Sequence, residues 1–519
     1  MHAPPDQCAI LVPELLVKTL KYINMEIIDN ETPAQPQPEI ERRQQTIARI
    51  GVFGVGYYKY WDQFEGLLDA LKEKQAVFLE KLKVNDVEVV DFGLIDRVQN
   101  AYDLVPALKA ANLDLIFCDM LTYATSSTFG IIIKSMDIPI VLVALQPDQA
   151  LDYANASTYQ QLYNDDICSL PEFAGVAVRM GKPVPDMIIG TLHDDPQTEL
   201  DIAEYCRIAR VLHDLRTARI GHIGHPIEAM LDMHTDSTMI TAHFGAHVIQ
   251  CEAHQIVSKY ESVTIEEIKS AEKRILDFFD TPYPVSDPIS EKLKDADLET
   301  AARVTVALEK FVEENKLDGL AYYYEGEPNS NTELVMSNLI VGNSLLTGEG
   351  FPMCGESDLK TCLAMLIMDR LGIGGSFAEF HPVDFQEDFV LVGHDGPHNI
   401  TIAEGRPVLR SLKKYHGKPG FGAGVEFKIK EGPITMLSIS STYGGKFKFV
   451  IAEGESVAGP IPPTGNTNTR GFFKPDARTF LHRWIKAGPT HHFALGVGHH
   501  AATIKKIADY LNFESIIIS

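Results

Sequence analysis

Residues 48–56 read Ala48-Arg49-Ile50-Gly51-Val52-Phe53-Gly54-Val55-Gly56, an apolar run of strand length that closes on glycines. The pattern then predicts a helix over Gln63–Leu82, and further strand-length runs recur at Val87–Phe92, Leu113–Cys118 and Ile138–Leu145. Short apolar runs with no polar alternation, separated by amphipathic helices, describe parallel strands buried on both faces. The expectation for residues 48–200 is a doubly wound α/β domain.

The alternation resumes near Asp201. Predicted helices over Ile202–Leu215, Ile265–Phe279 and Leu298–Asn315 enclose predicted strands at Ala218–Ile223, His247–Cys251 and Leu317–Tyr324, so residues 201–347 form a second α/β domain. Beyond Thr347 the style changes. One predicted helix, Ser357–Leu371, precedes runs at Phe389–Gly393, Val425–Lys430, Ile434–Ser441 and Lys446–Ala452, with turn signals such as Tyr443-Gly444-Gly445 between the later ones. Closely spaced strands joined by glycine turns are antiparallel, and residues 348–519 are expected to be a β-rich, barrel-like α+β domain. The first 47 residues read as an N-terminal extension, a helical stretch at Leu15–Tyr22 followed by a Pro/Gln/Glu-rich connector, Glu31–Arg43, too polar to build a core.

With 519 residues, 45% of them hydrophobic, the chain can bury several cores. Its net charge of -25 repels phosphate backbones and anionic lipid. Nucleic acid and membrane are therefore not expected partners. The seven cysteines are scattered, with no close CxxC pair, and free thiols are the expectation. The sequence shows neither a signal-peptide pattern nor an apolar run of spanning length, which points to the cytoplasm.

The turn after Gly54 and Gly56 has GxG but not GxGxxG, because Lys59 takes the last position. It reads as a tight turn or as a substrate loop at the carboxyl edge of the sheet. Tyr58 and Trp61 there suit stacking on a sugar face, although core packing explains them nearly as well. Half of the 18 histidines follow residue 380. His491 and His492 follow the loop Ala487-Gly488-Pro489-Thr490; adjacent side chains in extended backbone point apart, so one of the pair is expected to face a given site. Glu356 stands where a helix begins, with Ser357 or Asp358 available as cap. Glu379 follows the Gly374-Gly375 break after that helix, and His394 ends the run Phe389–Gly393. His381 and Asp384 are further donors nearby. Taken singly, each has a bland reading as a polar strand position, a turn histidine or a favourable helix-end charge.

Together they carry a resemblance. Gly355-Glu356 with Asp358 and Lys360-Thr361 resembles the G-E-x-D-x-K-T segment of L-arabinose isomerases. Ser376-Phe377-Ala378-Glu379 resembles their S-F-x-E segment, Val390-Leu391-Val392-Gly393-His394 the strand that follows it, and Ala487-Gly488 with His491-His492 the A-G-x-x-H-H element. Four segments in the same order resemble the L-arabinose/L-fucose isomerase superfamily. The resemblance implies three domains, Mn2+ held by Glu356, Glu379, His394 and His492, and the two glutamates as acid and base. It further implies a homo-oligomer, trimer or hexamer, with sites at subunit interfaces, acting on a small-molecule sugar. Tyr58, Trp61 and His381 are the candidate substrate contacts. The sequence around the sugar departs from L-arabinose isomerases: Phe380-His381-Pro382 replaces an acidic–aromatic stretch, so the aldose is left open. The reading from another class is a non-catalytic sugar-binding or regulatory protein of the same fold.

Overall fold

The computed structural model describes residues 38–519 apart from Gln44, 227–229 and 285–286. The expected helix Leu15–Tyr22, most of the polar connector and Cys8 lie outside the described residues.

Strands β1 (Ala48–Val55), β2 (Val87–Ile95), β3 (Leu115–Met120), β4 (Ile140–Gln146) and β5 (Asp186–Thr191) form one parallel sheet in the order β2-β1-β3-β4-β5. The unbroken apolar runs are explained by burial on both faces. Ile50, Val52, Phe117 and Val143 enter one core, whereas Phe53, Ile116, Cys118 and Leu142 enter another. β6 (Arg219–Ile223), β7 (His247–Cys251), β9 (Gly319–Tyr322) and β10 (Met353–Cys354), with the short β8 (Ser290–Glu291) between them in the chain, supply a second parallel sheet ordered β10-β9-β6-β7.

The remaining strands are β11 (Gly374–Asp384), β12 (Phe389–His394), β13 (Val408–Leu412), β14 (Gly422–Glu426), β15 (Gly432–Ser441), β16 (Phe447–Val457), β17 (Thr467–Phe472), β18 (Phe493–Val497) and β19 (Glu514–Ile518). The order β15-β18-β11-β12-β17-β16 closes on itself through a β15–β16 pairing, which makes a six-stranded antiparallel barrel; β19 adds outside it, parallel to β16. β14, β13 and β8 form a small separate sheet. The expected fold class, two doubly wound sheets and a barrel-like β domain, is the one found.

The helix Leu359–Arg370 ties these parts together. All twelve of its residues are buried, and Leu359, Cys362, Leu363 and Leu366 share a core with β1, β15 and β18 residues. A helix buried on every side belongs in an interior, with Lys360, Thr361, Asp369 and Arg370 as its buried polar groups, and its N-terminus is thereby fixed between the second sheet and the barrel. The six described cysteines are free thiols, and no helix among the described residues is long and apolar enough to cross a membrane.

One buried polar cluster lies in the first α/β unit. Lys74 pairs with Asp166, with both side chains shut from solvent. Beside them Asp119 is also buried, its Oδ2 without a hydrogen-bond partner. Burial pushes the Asp119 carboxyl up to about 7 against the pull of Lys74. An acid with a raised folded pKa keeps its proton in the native state while the unfolded chain ionises, so stability falls as pH rises from about 4 to about 7. Asp119→Asn is expected to remove that loss, stabilising the protein by up to about 4 kcal/mol at pH 8 and hardly at all at pH 4. Urea unfolding of both proteins at the two pH values measures it; an equal shift at both would contradict the assignment.

Candidate active site

The site begins with backbone that resists its own conformation. Glu356 and Ser357 have φ of 59° and 57°, a left-handed pair that costs non-glycine residues energy and persists only where neighbours impose it. Here the neighbours are the carboxyl ends of two second-sheet strands. Ser357 N donates to Tyr322 O at 3.0 Å, and Ser357 Oγ donates to Ile223 O at 2.9 Å. Asp358 then caps the buried helix by accepting from Lys360 N and Thr361 N at 3.1 and 3.2 Å. The cap turns Glu356 away from the helix and into a cavity at the edge of the sheet.

The barrel supplies the facing groups. Phe377 and Glu379 lie two apart on β11 and so share a face. Glu379 pairs with Gly393 across β12, where a Cβ on Gly393 would come within 2.0 Å of Thr467 O; only glycine admits that approach, and His394 follows directly. The β11–β12 register shifts between Phe380 and Val383, a bulge of the kind that re-aims side chains, and His381 enters the cavity there. The His492 loop is fixed through Thr490, whose N–H donates to Ser438 Oγ at 3.0 Å and whose hydroxyl donates to His492 O at 3.0 Å.

These elements bring Glu356, Glu379, His394 and His492 together. His394 Nε2 lies 3.9 Å from both Glu356 Oε1 and Glu379 Oε1, and His492 Nε2 lies 3.6 Å from Glu356 Oε2. The ligating atoms of Glu379, His394 and His492 are within 4.8 Å of one another, as are those of Glu356, His491 and His492. Two ligands each about 2.2 Å from one cation are at most roughly 4.4 Å apart, so the cluster is close to a coordination sphere. The Phe377 ring, 4.2 Å from the His394 ring and 4.3 Å from that of His492, holds both imidazoles in place.

Each imidazole presents the same nitrogen inward. His394 Nδ1–H donates to Asp395 O at 2.8 Å, and His492 Nδ1–H donates to Asp358 Oδ2 at 3.2 Å. That fixes the tautomer with Nε2 as acceptor, the arrangement of metal-binding histidines. His492 Nε2 and Glu356 Oε2 are buried and without a hydrogen-bond partner. Buried polar atoms are rarely left so, and a shared cation satisfies both at once. The site therefore fits a divalent ion. Burial pushes the Glu356 carboxyl up, opposed by His492 and His491. Burial also drives His394 well below the ordinary imidazole range, with His492 adding to it. Burial would lower His492 too, but its bond to Asp358 outweighs that and raises it.

Glu356, Glu379, His394 and His381 line a cavity of about 260 Å³, which also takes in Tyr324, Asp395 and Lys418. His491 is part-exposed and is held by Asp232, which accepts from its backbone N–H at 2.9 Å and from Nδ1 at 2.7 Å; its ring lies 3.8 Å from that of His492. Tyr58 and Trp61 do not line this cavity. They sit at the carboxyl edge of the first sheet, where Trp61 Nε1 donates to Asp96 at 2.7 Å and Arg97 lies 4.3 Å over the Tyr58 ring. Asp384 caps the β11–β12 turn through Gln386 N and Glu387 N. Lys418 carries no sequence signal of its own: its neighbours Tyr324, Glu356 and Glu379 in the cavity are remote in the chain.

Residues 374–514 match the model of the L-arabinose isomerase C-terminal domain. The C-terminal part of the chain is thus similar to L-arabinose isomerases. Among its relatives is a sulfoquinovose isomerase of Alkalicoccus urumqiensis, 23% identical over 325 residues, which are 61% of this chain and 68% of the relative. The L-arabinose isomerase of Aeromonas hydrophila is 22% identical over 357 residues, 67% and 68% of the two chains. That of Acidothermus cellulolyticus is 24% identical over 362 residues, 67% and 69%. In this chain Asp358 both caps a helix and orients His492. Asp358→Asn is expected to keep the cap but weaken Mn2+ binding about 10–100-fold. Calorimetric titration of the variant measures this, and wild-type affinity would separate Asp358 from the ion.

Proposed function

We propose that this protein is a metal-dependent aldose–ketose isomerase that interconverts a pentose or a modified hexose with its ketose. Similarity to named sugar isomerases supports the isomerase class. Metal dependence and the sugar are the proposal, and the relatives' names already differ in the sugar. The observation that carries the reading is the pair of buried, unpartnered ligand atoms, Glu356 Oε2 and His492 Nε2, inside a cluster completed by Glu379 and His394.

Glu356, Glu379, His394 and His492 would hold the ion, with Mn2+ the expected species. Such an ion, when bound, supplies Lewis-acid stabilisation of negative charge on adjacent sugar oxygens. Isomerisation also needs a base for the proton on one carbon and an acid for the neighbouring oxygen. Glu356 suits one role because burial pushes its carboxyl above the ordinary carboxylate range; Glu379, more exposed at 31%, takes the other. Phe377 and the walls of the cavity keep bulk water from the proton in transit. A purely sugar-binding protein has no need for paired carboxylates beside imidazoles with aligned Nε2 atoms. We further propose a cytoplasmic homo-oligomer, trimeric or hexameric.

The test is a panel of aldoses with Mn2+, followed for ketose by NMR. Ketose formation from at least one aldose is expected; none across pentoses, 6-deoxyhexoses and hexoses substituted at the sixth carbon would overturn the reading.

A further inference from the structure

Lys418 lies on the β13–β14 loop, between Gly417 and Gly420 with φ of 67° and 94°. The loop packs on the Ser337 turn: a Cβ on Gly420 would come within 2.9 Å of Ser337 Oγ. Lys418 Nζ donates to Ser337 O at 2.8 Å and stands 4.5 Å over the Tyr415 ring and 5.5 Å over that of Tyr324. Among the described residues, one carbonyl and two ring faces are its polar and cation–π contacts. It feels the charges of Asp395 and Glu356, but among the described residues no carboxylate is within ion-pairing distance. The same ammonium lines the cavity that contains Glu356 and Glu379.

Lys418 is half-buried, and a part-buried cation without a counter-ion is unfavourable unless something in the site supplies one. Burial drives the Lys418 ammonium down to about 7, against the pull of Asp395 and Glu356. Asp395 leans on His416, 3.5 Å away, and Glu356 belongs to the metal cluster. The charge that Lys418 lacks is thus left for the occupant of the cavity.

We propose that Lys418 selects an anionic sugar, one bearing a sulfonate, phosphate or carboxylate on a carbon other than the two being isomerised. Lys418 would be a substrate-binding residue that sets specificity and takes no part in proton transfer. This rests on the isomerase reading above. The shared chemistry is an oxyanion within reach of one ammonium, with the metal cluster holding the reacting carbons.

The experiment compares one aldose skeleton carrying hydroxyl, sulfonate, phosphate or carboxylate at the terminal carbon, with wild-type enzyme, Lys418→Met and Lys418→Arg. Wild type is expected to favour at least one oxyanion sugar over the hydroxyl sugar by about 100-fold or more in kcat/KM. In Lys418→Met that ratio should fall at least thirtyfold, mainly through KM, and Lys418→Arg should recover part of it. A wild-type preference for the neutral sugar overturns the proposal. So does a ratio in Lys418→Met within threefold of wild type, which would make Lys418 a structural residue. Which oxyanion leads tells the sources apart. Binding of hexitol 6-phosphate and hexitol 6-sulfonate, which cannot isomerise, is measured in parallel by calorimetry. Lys418-dependent binding without turnover of any aldose would sink the isomerase reading and leave this one standing, whereas turnover of neutral aldoses without Lys418-dependent binding would do the reverse.

Discussion

Replacing Glu356 with Gln is expected to leave the protein folded and to lower kcat/KM by about a thousandfold or more. The size follows from what the carboxylate does. A positioned acid or base contributes about 10²–10⁴ in rate, and a Gln amide can neither take up nor release the proton as a carboxyl group does. The same change removes one oxygen ligand from a cluster in which Glu356 is the shared neighbour of His394 and His492. Folding is preserved because the strained turn at 356–357 is held by backbone and by Ser357, not by the Glu356 side chain. Removing a charge whose Oε2 is buried and unpartnered does not harm the metal-free protein. Ketose formation measured with each purified protein, beside thermal unfolding, separates the two effects. Turnover within tenfold of wild type would remove Glu356 from the chemistry.

Stripping divalent ions with EDTA should reduce activity below about 1%, and Mn2+ should restore it, because four side chains lose their common partner. A second readout is independent of turnover. An ion bound only by the native state stabilises it by about 2.7 kcal/mol when present at one hundred times its dissociation constant, so added Mn2+ should raise the unfolding temperature. His394→Ala should abolish that rise, since its Nε2 lies 3.9 Å from both glutamates. Full activity after exhaustive chelation would end the metal hypothesis, and an undiminished thermal shift in His394→Ala would move the ion elsewhere.

Much of the fold was legible because burial leaves local marks. Strands covered on both faces had to be apolar throughout, and Ile50, Val52 and Phe53 are. β5, β13 and β17 were not legible as strands at all, and β14 was legible only out of place. The sequence predicted Val425–Lys430, whereas the strand is Gly422–Glu426. Glycines in a strand read as breaks, but here they admit close packing: a Cβ on Gly424 would come within 2.7 Å of Leu412 Cδ1. The bulge beside His381 was equally hidden, since pairing register depends on a partner strand and not on local sequence.

In the candidate site, the sequence by itself determined which groups were available and in what local settings. Glu356 stands before a capped helix, Glu379 is two residues from Phe377 on one strand face, and His394 and His492 follow a strand and a loop. Periodicity and capping act over a few residues, and a few residues suffice to read them. Only the tertiary structure decided that these four form one cluster, that Asp358 and the Asp395 carbonyl turn the two imidazoles, and that Lys418 lines the adjoining cavity. Closure of the barrel between β15 and β16 and burial of Leu359–Arg370 bring those segments together. The hydrogen bond of His492 to Asp358 spans 134 residues, and side-chain distances across such contacts are set by packing that no local pattern encodes.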